Sequence, residues 1–270
     1  MQPIILRSPR FDDQKIKLPG EIARLSVPFN GSVGSPAGDS YPVNRNIIEL
    51  LTGNYPRTTL AQDSNFIPLT AKGYEDYWRK TSIKSISGQD FSMADEQNLL
   101  CDWLDPRAGD VIADLGTSTG LYPRTLYRHQ PECHPIAIDL SLPMLQEARQ
   151  RAIKEGCELT LLQANAEELP FFAGSLDALS CGGSLNEFYD PQKALYEARR
   201  VLKKDGRFFM MYLLEAETLA GRLLQKASSL GGIKFWSRDA SFHLITRSGF
   251  HIEKEKQLGI VQFVLLRAGD

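Results

Sequence analysis

Two aspartates and a short loop hold the chemistry that can be read first. In VIADLGTSTGLY, Val111 to Tyr122, an apolar run ends in Asp114-Leu115 and opens into Gly116-Thr117-Ser118-Thr119-Gly120. Glycines between a strand and a helix let a ligand approach the main chain and meet backbone N–H groups. A second acid, Asp139, closes the next apolar run, PIAID. It follows the loop by about 20 residues, the separation at which a carboxylate can meet two ribose hydroxyls. The pair predicts a site for a ligand that contains a ribose.

Such a site needs both acids at the ends of neighbouring strands, and the surrounding pattern places them there. VIADL is a short continuous apolar strand, LYPRTLYRH a helix ended near Pro131, and PIAID a second strand. SLPMLQEARQRAIKEG reads as an amphipathic helix with Ser141 as cap and Gly156 beyond its end. LTLLQA and LDALSCG follow as strands. DPQKALYEARRVLKKDG reads as a helix with Asp190 at the cap, Pro191 in first position, lysines in the last turn and Gly206 after it. RFFMMYLL is a fifth strand. Two helical stretches, Glu217 to Ser229 and Arg238 to Ser248, lead to FHIEKEKQ and IVQFVLLRA, whose short LG joint predicts an antiparallel hairpin. Upstream, KGYEDYWRKTSIKSI reads as helical. Ser92 and Asp95 form a capping-box pattern before Leu99, Leu100, Trp103 and Leu104, and Asp105-Pro106 ends that helix. Strands alternating with helices predict a parallel sheet covered on both faces, with ligands beyond the carboxyl ends of its strands.

Two ligand classes use such a pair of acids. A dinucleotide site needs G-x-G-x-x-G, but after Gly116 the sequence gives Ser118 and Leu121, so that pattern fails. The other class is S-adenosylmethionine, with an acid just before the loop, as Asp114 is. DLGTSTG looks like D-x-G-x-G-x-G, and IAIDLSLPMLQEAR like a second-strand acid followed by D-x-S-x-x-M-L-x-x-A. QANAEELPF is similar to G-D-A-E-x-L-P-F, and LDALSCGGSLNEFYDPQKALYEARRVLKKDGRF follows the expected strand, loop, helix and strand. With these motifs the chain resembles the class I S-adenosylmethionine-dependent methyltransferases, in the group that includes quinone-ring C-methyltransferases and many small-molecule methylases.

The resemblance implies an α/β fold, a doubly wound Rossmann-like seven-stranded sheet, mainly parallel with a C-terminal antiparallel hairpin. It implies S-adenosyl-L-methionine as cofactor and direct in-line methyl transfer to a small, partly apolar acceptor. An rRNA methyltransferase and a cofactor-binding regulatory protein without turnover are the alternatives. The stretch from TLAQDSN to WLDP is similar to cyanobacterial and plastid methyltransferases that often begin with a zinc ribbon. Residues 1–100 contain no cysteine, so 1–70 is expected to be an accessory segment, a degenerate metal-free ribbon. Residues 71–270 are then the methyltransferase domain, with lid helices in 71–104.

The cofactor-binding residues so implied are Asp114, Gly116, Thr117, Ser118, Gly120, Asp139, Leu140, Met144, Asn165, Ala166, Cys181 and Tyr74. Asp139 would take the ribose, Asn165 and Ala166 the adenine with Met144 packed against it, and Cys181 would lie beside the methyl donor. Ser118 stands where the family has its middle glycine, and it fits if its φ stays negative. Asn165 stands where an aspartate usually accepts from the adenine amino group, which an amide oxygen can also do. Asn186, Glu187 and Tyr189 follow the fourth strand, where the resemblance implies residues facing the acceptor, and Glu187 is the candidate general base. Tyr74, Tyr77 and Trp78 are candidate lid aromatics. Each has a plainer reading: Asp114 as a loop cap, Asp139 as a helix cap, Asn165 as a turn residue, Cys181 as packing, Glu187 as a solvated carboxylate and the aromatics as a core stripe.

Composition bounds the rest. The chain has 270 residues, 42% hydrophobic and 24% charged, with a formal net charge of −2. That argues against nucleic acid as the main partner. Cys101, Cys133, Cys157 and Cys181 form no CxxC pair and the four histidines lack ligand spacing, so no metal site is expected. The apolar run after Met1 is too short for a signal peptide, and no run reaches the roughly 20 residues of a membrane span, so the expected location is cytoplasmic. LAGRLLQKASSLGGIKF is amphipathic and basic, which leaves peripheral contact with a membrane open. Val27 to Asn44 is rich in Gly, Pro, Ser and Asn and reads as loop, and RNIIELL as one strand or one helical turn.

Overall fold

The computed structural model describes residues 4–51, 58–64, 66 and 88–269. The chain begins with an antiparallel pair, β1 (Ile5–Arg7) and β2 (Lys15–Lys17). Three short strands follow, β3 (Gly31–Gly34), β4 (Ser40–Asn44) and β5 (Ile47–Glu49), then helices α1 (Leu60–Ser64) and α2 (Met93–Leu104). The alternating part runs β6 (Val111–Leu115), α3 (Leu121–His129), β7 (His134–Asp139), α4 (Leu142–Glu155), β8 (Thr160–Gln163), β9 (Leu176–Gly182), α5 (Pro191–Val201) and β10 (Leu202–Leu213). Helices α6 (Leu219–Ser229) and α7 (Arg238–Thr246) precede the hairpin β11 (Phe250–Leu258) and β12 (Val261–Ala268).

Among the described residues the main sheet has ten strands in the order β11-β12-β10-β9-β6-β7-β8-β5-β4-β3. The seven from β11 to β8 form the expected doubly wound sheet, parallel except for β12 against β10 and β11 against β12. The strand order reverses between β6 and β9, which fixes the ligand crevice beyond the carboxyl ends of β6 and β9. Strand β6 is apolar except for Asp114 because both of its faces are covered. On one face Ala113, Leu115, Ile136, Ile138 and Leu179 pack with Leu195 and Ala198 of α5. On the other, Ile112, Ala178, Phe209 and Phe263 pack with Leu100 and Leu104 of α2 and Leu126 of α3, and Ala137 and Leu161 with Leu145 and Ala152 of α4. Each large aliphatic side chain so enclosed contributes about 1.5–3 kcal/mol.

Local signals hold where the side chains are explicit. Ser92 and Asp95 form the capping box of α2, and Ser141 accepts from Met144 N at the start of α4. Asp190 accepts from Lys193 N at the start of α5. Two local expectations are corrected. Helix α5 stops at Val201, because buried Leu202 pairs with Leu176 of β9; Lys203 and Lys204 lie in a bulge, not in a last helical turn. Val27 to Asn44 contains β3 and β4, where Tyr41 and Val43 alternate into the core, so its turn-rich composition hid two strands. Strand β5 then pairs in parallel with β8, Ile47 with Leu161 and Ile48 with Leu162, which makes the N-terminal segment continuous with the sheet.

Candidate functional site

The loop after β6 is held by the protein rather than presented open. Thr117 N donates to Ile138 O at 2.8 Å, Gly120 N to Thr117 O at 2.9 Å, and Ser118 N to Asp139 Oδ2 at 2.8 Å. The N–H groups of these three residues are therefore committed, and they do not point to a ligand as the glycine pattern suggested. Gly116 has φ +65°, and a Cβ there would lie 2.3 Å from Ser184 Oγ. Close approach at this glycine is to the turn after β9, whose Ser184 Oγ donates to Gly116 O at 2.9 Å. Gly120, with φ +78°, begins α3 against Ala148 of α4. Ser118 also has a positive φ, +51°, contrary to the expectation that it stays negative. The left-handed conformation is held by the Ser118 N bond and by Ser118 Oγ, 3.4 Å from Met144 Sδ.

Two carboxylates flank this loop. Asp114 is buried and accepts from Ser180 Oγ at 2.7 Å, so it ties β6 to β9. Asp139, partly exposed, accepts from Ser118 N and from Ser141 N, each at 2.8 Å, and from Leu140 N. Burial raises its carboxyl to about 6, against the pull of those three donors. A carboxylate offers about four acceptor positions, so one remains for a ligand hydroxyl. The plainer reading of Asp139 as helix cap does not describe it, because Ser141 fills that place.

A small cavity lies over the loop, bounded by Asp114, Thr117, Ser118, Leu121, Tyr122 and Gly182. Thr117 is almost fully buried at its edge, and its Oγ1 has no hydrogen-bond partner. A buried hydroxyl of this kind costs about 1–3 kcal/mol until something bonds to it. It fits a polar ligand seated on the loop, and S-adenosylmethionine has the carboxylate, amine and hydroxyls to do so.

Other expected residues meet the site to different degrees. Met144 is buried beneath the loop beside Ser118. Leu140 O accepts from Gln163 Nε2 at 3.0 Å, which fixes the end of β7 to that of β8. Asn165 Oδ1 accepts from Glu167 N at 3.0 Å, so it closes a turn, and Ala166 beside it is buried. The Cys181 thiol is enclosed, and burial pushes it up to about 12, which leaves it a packing group. Glu187 is half-buried just past the short turn Ser184–Asn186, and its carbonyl accepts from Thr59 Oγ1 at 3.3 Å. Tyr74, Tyr77 and Trp78 lie outside the described residues.

Several residues at the site hold roles that were not expected. Asn186 donates to Leu213 O at 2.9 Å and Lys234 O at 2.5 Å and accepts from Leu213 N at 2.8 Å, so it pins the turn after β9 instead of facing an acceptor. Glu96, fully buried on α2, accepts from the hydroxyl of Tyr122. A sequence signal existed for Glu96, since it lies four residues before Leu100 on the apolar face of its helix. Ser180 and Ser184 carried no such signal.

Comparison with known proteins bears on the fold. The profile of the methyltransferase domain family matches residues 113–210. A ubiquinone/menaquinone biosynthesis C-methyltransferase of Ruegeria sp. (strain TM1040) is 32% identical over 155 residues, 57% of this chain and 57% of that protein. A demethylmenaquinone methyltransferase of Thermus thermophilus is 37% identical over 105 residues, 39% of this chain and 48% of that protein. The chain thus spans about half the length of the curated relatives it matches. Among solved structures, geranyl diphosphate C-methyltransferase from Streptomyces coelicolor, in complex with Mg2+, geranyl-S-thiolodiphosphate and S-adenosyl-L-homocysteine, superposes with a TM-score of 0.56 at 16% identity, covering 65% of this chain and 75% of that one. That likeness shows the fold. Residues 113–210 thus match the methyltransferase domain family.

Proposed function

We propose that this protein is an S-adenosylmethionine-dependent methyltransferase acting on a small, partly apolar molecule. The observation that carries the reading is the loop of Thr117 to Gly120, locked to Asp139, with the buried Thr117 hydroxyl left for a ligand. Asp139 would take a ribose hydroxyl, Thr117 Oγ1 a polar group of the methionine part, and the turn of Asn165 and Ala166 would border the adenine. When bound, the cofactor supplies an already activated sulfonium methyl. The residues around it then need to align an acceptor, exclude water and, through Glu187, receive a proton where the acceptor releases one.

The quinone and geranyl diphosphate methyltransferases that the chain resembles support an acceptor with apolar character. No described helix is long and apolar enough to cross a membrane. A cytoplasmic location, with peripheral contact where an apolar acceptor partitions into lipid, belongs to the same reading. So does the treatment of residues 1–70 as an accessory segment of the methyltransferase unit.

The test is calorimetry with S-adenosylhomocysteine, followed by conversion of S-adenosylmethionine in the presence of quinone, phenol or RNA fractions. Saturable binding and turnover with a quinone or phenol fraction is the expected result. Turnover with RNA alone would establish the rRNA alternative, and binding without turnover the regulatory one. Saturable NAD binding at micromolar concentration would overturn the reading of the loop.

A further inference from the structure

Helix α6 is built inside out. The contacts that fix it to the protein are polar: Gln225 Nε2 donates to Leu214 O at 2.8 Å, its Oε1 accepts from Ala216 N at 2.7 Å, and Arg222 Nε donates to Ala216 O at 3.0 Å. Gly221 lies against Ala216 on the same side. The leucines face away. Leu219, Leu223 and Leu224 are 76%, 62% and 72% exposed, and Leu230 at the end of the helix is 84% exposed. No residue of α6 is buried. At about 100° per residue, Leu219, Leu223 and Leu230 fall in one narrow arc with Ala227 beside them, and Lys226 and Arg222 follow along one edge of it. An ordinary surface helix turns its apolar stripe to the core. This one turns it outward, and among the described residues nothing covers it.

Charge says what fits that stripe. From Thr218 to Ser237 the sequence has Arg222, Lys226 and Lys234 and no acid, in a chain whose net charge is −2. A second copy laid on the same face would set these cations against themselves. An apolar stripe edged by cations is instead the pattern of a helix lying in the interface of an anionic bilayer.

We propose that α6 docks this protein on an anionic membrane surface, with Leu219, Leu223, Leu224 and Leu230 in the acyl boundary and Lys226 at the headgroups. The position of the helix gives docking a use. Lys234 N donates to Asn186 O at 2.8 Å and Lys234 Nζ to Phe188 O at 2.9 Å, so the segment after α6 is tied to the turn that follows β9. That turn is bonded to the loop after β6, Ser184 Oγ donating to Gly116 O. A docked α6 holds the mouth of the site close to lipid, where an apolar acceptor dissolves. This part of the proposal rests on the methyltransferase reading; the docking itself does not.

The test is co-sedimentation of the full chain with vesicles of phosphatidylcholine alone and of phosphatidylcholine with phosphatidylglycerol. The protein is expected to sediment with the anionic vesicles, to be released by salt, and to stay in solution with the neutral ones. Leu223→Glu is expected to weaken anionic-vesicle binding about tenfold or more, since one buried leucine and one buried charge are exchanged. Calorimetry with S-adenosylhomocysteine should give the same affinity for Leu223→Glu and wild type, which also reports an intact fold. Absence of wild-type binding to anionic vesicles, equal binding to neutral ones, or full binding by Leu223→Glu each overturns the proposal. A wild-type dimer that Leu223→Glu converts to a monomer overturns it too, and assigns the stripe to a second copy. If S-adenosylhomocysteine fails to bind while vesicles do, the methyltransferase reading falls and the docking stands.

Discussion

Asp139 gives cofactor affinity a defined pH dependence. In the free protein burial places its carboxyl at about 6, above the ordinary 3.8. A ribose hydroxyl donates to the carboxylate form, so binding lowers that value, and the ligand selects the ionised protein. Affinity is therefore full above about pH 7 and is lost as pH falls through 6. With a carboxyl at about 6, roughly one half of the free protein is ionised at pH 6 and about one eleventh at pH 5, so the apparent Kd rises about twofold and then about tenfold. Free-protein stability runs the other way. The folded carboxyl is raised above the unfolded value, so ionising it works against the fold, and the Asp139 contribution improves as pH falls from 7 towards 4. The assay is calorimetry with S-adenosylhomocysteine across that range, alongside thermal melts of the free protein. Asp139→Asn should flatten both contributions and cost about 1.5–3 kcal/mol of binding at neutral pH, as for other charge-assisted hydrogen bonds. A wild-type Kd that stays constant down to about pH 5, with the circular dichroism spectrum unchanged, would refute the assignment of Asp139 to the ribose.

The loop supports three shorter predictions. Thr117→Val should leave the free protein as stable or more so, because it removes an unpartnered buried hydroxyl, and should weaken S-adenosylhomocysteine about fivefold, as one lost hydrogen bond does; unchanged affinity would show that the hydroxyl meets no ligand. Gly116→Ala should lower unfolding stability by about 1–3 kcal/mol through the clash with Ser184 and the positive φ, and Ser184→Gly in the same chain should restore part of it in urea melts. Failure of that rescue would locate the conflict elsewhere. Ser118→Gly should raise stability by up to about 1 kcal/mol by relieving φ +51° while affinity is kept; a loss of affinity would make the serine hydroxyl a ligand contact.

Much of the sheet was legible because its information is local. VIADL, PIAID and LDALSCG are apolar on both faces, and Ser92, Ser141 and Asp190 mark helix starts in a way that needs no knowledge of distant residues. Of the three added strands, β3 and β4 were not legible, and β5 was left between a strand and a helical turn. Strand β4 contains Pro42, β3 is glycine and serine around one valine, and β5 becomes a strand by pairing with β8 more than a hundred residues away. The site divides along the same line. The positions of Asp114 and Asp139 follow from the strand ends, but their hydrogen-bond partners do not. Ser180 is an ordinary strand residue until β9 lies beside β6, and Asn186 looked free to face an acceptor until the end of β10 and the segment after α6 closed on it.

The pairing of β5 with β8 also bears on how this chain is made. Ile47 cannot find Leu161 until more than a hundred further residues have left the ribosome. At about 5–20 residues per second that interval is on the order of ten seconds. For that time Tyr41, Val43, Ile47 and Ile48, all buried at the end, have no sheet to join. The meander of β3, β4 and β5 therefore completes its burial only after β6, β7 and β8 have been synthesised.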